Sequence, residues 1–179
     1  MKKMKKYTLT VVLVMITIFS IESPTVGICV VEPYFMNSQS KGGLKKFMNV
    51  LSKRESRNRL GVVSKNGHLG KYQFSSKTLE WIGFEVEIDE FLKSPKMQDD
   101  AMIKYLKVNK RILRKVIKKW NNSIIDGIEI TESGILAAAH LVGPGGVLDF
   151  FNKGIMVTDS SGVKITDYLF KYSGYDLGL

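Results

Sequence analysis

Leu44, Phe47, Met48 and Leu51 fall at i, i+3, i+4 and i+7, with Lys45, Lys46, Asn49 and Lys53 between them. That spacing lines one side of a helix with apolar residues and predicts an amphipathic helix ending near Arg54 or Glu55. From Gly61 to Phe74 the period changes. Two short β-capable pieces flank Asn66-Gly67, a dipeptide that favours a type I′ turn, which predicts a small hairpin after the first helix. Ser75 and Ser76 can cap a helix carrying Leu79, Trp81 and Ile82. Ser94-Pro95 places a capping hydroxyl before a proline at the first helical position, where its missing N–H costs nothing. The helix that follows is long, with Met97, Ala101, Tyr105, Val108 and Ile112 on one stripe, Leu106, Leu113, Ile117 and Trp120 on a neighbouring one, and Asn109 as a candidate break. Asp126-Gly127 reads as a turn and Thr131 as a cap. Ile135 to Val142 is almost wholly apolar, hence a buried helix, stopped by Gly143-Pro144-Gly145-Gly146. Helix resumes over 147–152, and after the polar turn Asp159 to Gly162, Thr166 caps a last short helix with Tyr168, Leu169 and Phe170. The pattern predicts a mainly α (α+β) domain with one small β-hairpin.

The N-terminus obeys different rules. Met1 to Lys6 carry four lysines, and Tyr7 to Ile21 is an uncharged run of 15 residues that are mostly apolar. A bilayer core needs about 20 apolar residues, so residues 1–23 read as a cleavable signal peptide, with an uncleaved N-terminal anchor as the alternative. Val26-Gly27-Ile28-Cys29 has the outline of a lipidation site, but Ile28 stands where a small residue is wanted. Residues 24–43, punctuated by Pro, Ser and Gly, read as a linker, leaving 44–179 as the folded domain. The expected location is exported, periplasmic or extracellular.

Composition supports one domain: 179 residues, 44% hydrophobic and 25% charged, enough to bury a core and too apolar for a disordered tail. The formal charge of +10 points to an anionic partner. Removing residues 1–23 takes away four lysines and Glu22, leaving 23 basic against 16 acidic residues, a charge of +7. Export makes nucleic acid an unsuitable target. Eight basic residues and no acidic one lie between Lys104 and Lys119, a basic helix suited to an anionic wall polymer or a membrane surface. One cysteine, Cys29, excludes an internal disulfide, and with two histidines no metal or other cofactor is expected.

Glu55 is the only acidic residue between Glu32 and Glu80, and Arg54, Arg57 and Arg59 crowd it. A helix C-terminus and burial favour its neutral form, the arginines its charged form, and geometry decides. A helix ending in Glu55-Ser56, then a hairpin closing in Gly70-Lys71-Tyr72-Gln73-Phe74, then Ala137-Ala138-Ala139-His140-Leu141-Val142-Gly143-Pro144-Gly145 resembles the lysozyme-like superfamily. It is most similar to the lytic transglycosylases, including phage-tail forms, and to the resuscitation-promoting factors. The resemblance spans residues 44–177. It implies a lysozyme-like helical domain that cleaves the β-1,4 bond between N-acetylmuramic acid and N-acetylglucosamine in peptidoglycan, with Glu55 as catalytic acid and base and Ser56, Gly70, Tyr72, Gln73 and His140 at the substrate. His140 and Leu141 depart from the Tyr-Asn usual at those positions in these families.

The hairpin carries no second carboxylate. A retaining glycosidase needs one about 5–5.5 Å from the acid and an inverting one a base about 6.5–9.5 Å away. The resemblance to lytic transglycosylases implies a route with one glutamate, in which the sugar's own N-acetyl group assists. An inverting hydrolase stays open if folding brings in Glu80, Glu85, Glu87 or Asp89, as does a wall-binding module without turnover. Tyr72 beside Gln73 is the expected sugar-stacking ring, whereas Trp81, Tyr105 and Trp120 are expected in the core.

Overall fold

A computed structural model describes residues 40–179, and helices make up 57% of it, so the class is mainly α with a small β part. The expected signal peptide, most of the expected linker and Cys29 lie outside the described residues. Helix α1 runs Leu44–Ser56, α2 Ser76–Trp81, α3 Ile88–Lys93, α4 Pro95–Trp120, α5 Glu132–Lys153 and α6 Ile165–Lys171; strands β1 (Ser123–Ile125) and β2 (Ile128–Ile130) form one antiparallel pair.

The caps lie where local chemistry predicts them. Ser75, Ser94 and Thr131 accept hydrogen bonds from the backbone N–H groups of Thr78, Met97 and Gly134 at 3.0, 3.2 and 3.2 Å. Thr166, by contrast, sits inside α6, which starts one residue earlier; Asp167 closes that end by accepting from the Lys164 N–H at 3.1 Å. Helix α4 is unbroken, because Asn109 points inward and donates to the Tyr105 carbonyl one turn back. Helix α3 has no counterpart in the sequence expectation.

The hairpin differs most from expectation. Residues 61–74 hold only isolated antiparallel bridges, Val63 to Leu69 and Leu69 to Phe74. Of Asn66 and Gly67 only Gly67 takes a left-handed φ, so the turn is not type I′. The regular hairpin is β1–β2, where Asp126 (φ 49°) and Gly127 (φ 78°) both take the left-handed conformation a two-residue type I′ loop requires. Residues 40–43 are not a free linker either. The Lys41 N–H donates to Gly174 O at 2.7 Å, and the Asp176 N–H donates to Gly42 O at 3.0 Å, so this stretch lies along the C-terminal segment.

One core joins the helices. Phe47 and Leu51 of α1, Met102, Leu106 and Leu113 of α4, Ile135 to Ala139 of α5, and Ile165 and Leu169 of α6 are buried. Helix α5 is long and apolar enough to cross a bilayer, but Ser133 to Ala139 is fully buried within the domain, as in the central helix of a globular fold. It kinks at Gly143 (φ 71°, ψ 165°) and resumes at Pro144, a break of one residue where four were expected. Gly134 lets α6 approach closely, since a Cβ there would lie 2.8 Å from the Leu169 carbonyl oxygen. That contact seats α6, which carries Tyr168.

Candidate active site

Glu55 is one turn further along α1 than Leu51 and Ser52, at the border between the buried stripe and solvent, and its side chain is half-buried. The helix ends just beyond it in two successive left-handed residues, Arg57 (φ 60°) and Asn58 (φ 62°). Such conformations cost about 1–2 kcal/mol each for residues with a Cβ, less for asparagine. Asn58 is held there by Ser52 and by its own Nδ2–H donating to Asn49 Oδ1 at 3.1 Å.

Ser56 is not in contact with the cleft that Glu55 faces. It is buried; its Oγ donates to Lys71 O at 2.9 Å and accepts the Arg59 N–H at 3.0 Å. It therefore fastens the end of α1 to the turn at 70–74, a positioning role in place of the expected substrate contact. Gly70 has a similar place behind the site. Its φ is +68°, and a Cβ would lie 2.4 Å from Gln98 Oε1. Gln98 needs that space: its Oε1 accepts the Lys71 N–H at 2.7 Å, and its Nε2 donates to the carbonyls of Leu60 and Phe91 at 3.2 and 2.8 Å.

Tyr72 corrects the expectation of a sugar-stacking ring. It is 2% exposed, its ring packs near Phe74, and its hydroxyl donates to Asp99 Oδ1 at 2.5 Å. Burial, reinforced by that carboxylate, pushes the phenol far above its ordinary range. The Lys71 ammonium meets the same oxygen at 2.8 Å. Lys71, Tyr72 and Asp99 border a hollow of about 1050 Å³ that shares no lining residue with the Glu55 cleft. Its one carboxylate is engaged by Lys71 and Tyr72, so the larger hollow offers no free acid.

The Glu55 cleft has a volume of about 570 Å³, within the usual range for small-ligand sites. Gln73, Phe74, Tyr105, His140 and Asp159 line it with Glu55. Of the expected site residues, Glu55, Gln73 and His140 therefore come together, while Ser56, Gly70 and Tyr72 form the wall behind them. Gln73 takes a left-handed φ of 54° and its Nε2 donates to Gly70 O at 2.8 Å, which leaves Oε1 to face a ligand. His140 packs edge-on against Phe74 and Tyr105, with ring centroids 5.4 and 5.6 Å away. Its Nε2–H donates to Tyr72 O at 2.9 Å, which sets the tautomer and leaves Nδ1 as an acceptor. Burial lowers its pKa, against the opposing pull of the Glu55 charge, so the ring is neutral at pH 7.

Two residues at or beside the cleft, Tyr168 and Asp159, had no sequence signal of function. Tyr168 donates its hydroxyl to Glu55 Oε1 at 2.6 Å. Burial, together with the Glu55 charge, keeps that phenol protonated far above its usual range, so it remains a donor at any working pH. It fixes the carboxyl's orientation and leaves Oε2 for chemistry. Tyr168→Phe should lower turnover by about 10- to 150-fold, given that a hydrogen bond to a charged group contributes about 1.5–3 kcal/mol. Steady-state kinetics should place the loss in kcat rather than in KM, with the melting temperature little changed; a loss confined to KM would contradict the positioning role.

Asp159 is the second carboxylate on the cleft. Partial burial works to raise its pKa, but the Ser161 hydroxyl, the N–H groups of Val163 and Ser161 and the charge of Arg54 outweigh this and hold it below the usual carboxylate value. Its Oδ1 accepts from both N–H groups at 2.8 and 2.9 Å, closing the turn at 159–163. Glu80, Glu85, Glu87 and Asp89 do not line the cleft and are exposed. Trp81, expected in the core, is 49% exposed, with its ring 6.3 Å from Tyr105. Helix α2 ends there after six residues, so no further turn of helix covers the indole. Tyr105 is buried as expected, with its hydroxyl donating to Ala139 O at 2.7 Å.

Glu55 makes no ion pair within 4.0 Å among the described residues: Arg59 turns its Nε to the Ser56 carbonyl, and Arg54 is near enough to act on Tyr168, Tyr172 and Asp159. The described residues gather no group of three or more His, Cys, Asp or Glu that could hold a metal ion. The cleft thus offers one carboxyl oriented by a phenol, one carboxylate tied into a turn, a neutral imidazole and an amide, a set suited to proton transfer and to holding a polar, uncharged ligand. No protein-family model, no curated protein and no solved structure matches the chain.

Proposed function

We propose that the protein is an exported peptidoglycan lytic transglycosylase in which Glu55 alone carries both proton transfers. The observation that supports this most is the Glu55–Tyr168 pair: one carboxyl, oriented by a buried phenol, at the side of a cleft with hydrogen-bonding groups. In the first step protonated Glu55 gives its proton to the glycosidic oxygen as the bond to C1 of N-acetylmuramic acid breaks. The carbonyl oxygen of the sugar's N-acetyl group bonds to C1 from the other face. In the second step the Glu55 carboxylate takes the proton of the 6-hydroxyl, O6 bonds to C1, and the N-acetyl oxygen leaves. The product is a 1,6-anhydro ring and the carboxyl is protonated again. Gln73 Oε1 and His140 Nδ1 suit sugar hydroxyls and amide N–H groups, and the half-exposed Trp81, its ring 6.3 Å from the cleft residue Tyr105, offers a face to a pyranose ring.

Asp159 motivates a second reading, an inverting hydrolase in which it activates water. Its hydrogen bonds and lowered pKa make it a weak base, which favours the first reading. Asp159→Asn separates the two, because the amide oxygen can still accept from the backbone of the turn. The transglycosylase reading expects at least about a tenth of wild-type clearing of purified wall sacculi, whereas loss of a general base costs about 10²–10⁴-fold. A loss of that size in a variant that still folds would favour the hydrolase.

A further inference from the structure

The exposed face of α4 has no role in the cleft. Over Lys104 to Lys119 the helix sends Tyr105, Leu106, Asn109, Leu113 and Val116 into the core, so the basic residues face outward. At about 100° per residue, Lys107, Arg111, Arg114 and Lys118 fall within about 60° of one another. Lys115 flanks them, and Lys119 lies over the Trp120 ring at 4.8 Å. Lys110 is paired with Glu132 at 2.9 Å and Lys104 with the Gly83 carbonyl. Lys107, Arg111, Arg114, Lys115 and Lys118 are absent from every ion pair among the described residues.

An ordinary solvated helix face mixes the two signs, as the chain does elsewhere: Lys96 pairs with Asp100 at 2.5 Å and Lys153 with Asp149 at 2.7 Å, both one turn apart. In the basic stretch the i,i+3 and i,i+4 neighbours are like charges instead, each pair costing about 0.2–0.5 kcal/mol. Among the described residues no acidic side chain pairs with Lys107, Arg111, Arg114, Lys115 or Lys118, and a bound polyanion would offset that repulsion. The face is one helix wide and, from Lys107 to Lys119, about 18 Å long, the shape of a track for a linear chain. A membrane-surface helix needs its apolar side free to enter the lipid; here that side is spent on the core, and Ile112, at 40%, is the one large apolar residue exposed along the stretch.

We infer that this stripe on α4 binds a linear phosphodiester polymer of the cell wall, of the teichoic type, laid along the helix axis. The inference takes its setting, the bacterial wall, from the function proposed above, but not its chemistry. Tyr105, which lines the cleft, leaves the same helix on its buried side, so polymer on the stripe keeps the protein at the wall without entering the cleft.

The test is a binding titration of residues 24–179 with purified poly(glycerol phosphate) at low and moderate salt, beside the triple variant Arg111→Gln, Arg114→Gln, Lys118→Gln. We expect binding that weakens steeply with salt. The variant should lose at least about 10-fold in affinity, and its log–log salt slope should be shallower by about 2–3, near one unit per lost phosphate contact. Its rate on glycan stripped of the polymer should be unchanged, and Glu55→Gln should bind the polymer as wild type does, so failure of the catalytic reading would show separately. Binding that is absent or unaffected by the triple substitution would overturn the inference. So would tighter binding to phosphatidylglycerol vesicles or to single-stranded DNA than to the polymer.

Discussion

Glu55→Gln should reduce the release of soluble glycan from wall sacculi by about 10²–10⁴-fold, the range attached to a positioned general acid–base group, while the protein still folds and still binds the wall. Glutamine keeps the shape and can accept the Tyr168 hydroxyl bond with its amide oxygen, but it can neither give nor take the proton. In the proposed reaction one group serves both steps, so no second residue rescues either. Melting temperature and pelleting with sacculi should therefore match wild type while activity falls to background. If the variant cleared sacculi at near the wild-type rate, Glu55 would not be the acid. If wild type bound sacculi and released nothing, the chain would be a binding module.

Gly70→Ala should cost about 2–5 kcal/mol of folding stability. A Cβ at φ +68° brings strain of about 1–2 kcal/mol, and its position 2.4 Å from Gln98 Oε1 forces that side chain aside. Gln98 is 1% exposed and holds three backbone groups, those of Leu60, Lys71 and Phe91, so displacing it leaves buried polar atoms unpaired at about 1–3 kcal/mol. Gly67→Ala is the matched control. It has a similar φ of +76° with nothing within 4 Å of the added carbon, and should lose only the strain. Urea unfolding should give a midpoint well below that of Gly67→Ala with a similar m-value. Equal midpoints would mean that Gln98 relaxes freely and that the wall behind the cleft is not held as described. Since Gln73 belongs to the same turn, Gly70→Ala should also lose activity below its melting temperature.

Features whose cause is local were legible in the sequence. The caps at Ser75, Ser94 and Thr131 depend on a hydroxyl and an N–H three residues away, and the apolar stripe of α1 depends on a period of 3.6. Glu55, Gln73 and His140 were also legible as a set, through the resemblance, and they do line one cleft. Features that depend on distant partners were not. Tyr168 meets Glu55 across 113 positions of chain, and Gln98 meets Lys71 across 27; in the sequence both are ordinary residues of amphipathic helices. Tyr72 neighbours Gln73 in sequence, yet Tyr72 is buried in the core while Gln73, at a left-handed φ of 54°, lines the cleft. Trp81 was read as core by its spacing, but a helix of six residues has too little length to bury both its faces. Asn66-Gly67 and Asp126-Gly127 carry the same turn signal, and the regular hairpin forms at the second. Ile124, Ile125, Ile128 and Ile130 flank the latter, and Ile125 pairs with Ile128 across it.

The central claim is that the cleft breaks a glycosidic bond with one carboxyl and the substrate's own nucleophiles. Mass spectrometry of the muropeptides released from sacculi by residues 24–179 tests it most directly. The released products should end in 1,6-anhydro-N-acetylmuramic acid, 18 mass units (one water) lighter than hydrolysed ones, and be absent with Glu55→Gln. Products with reducing ends that take up ¹⁸O from labelled water would contradict it and make Asp159 the base to examine.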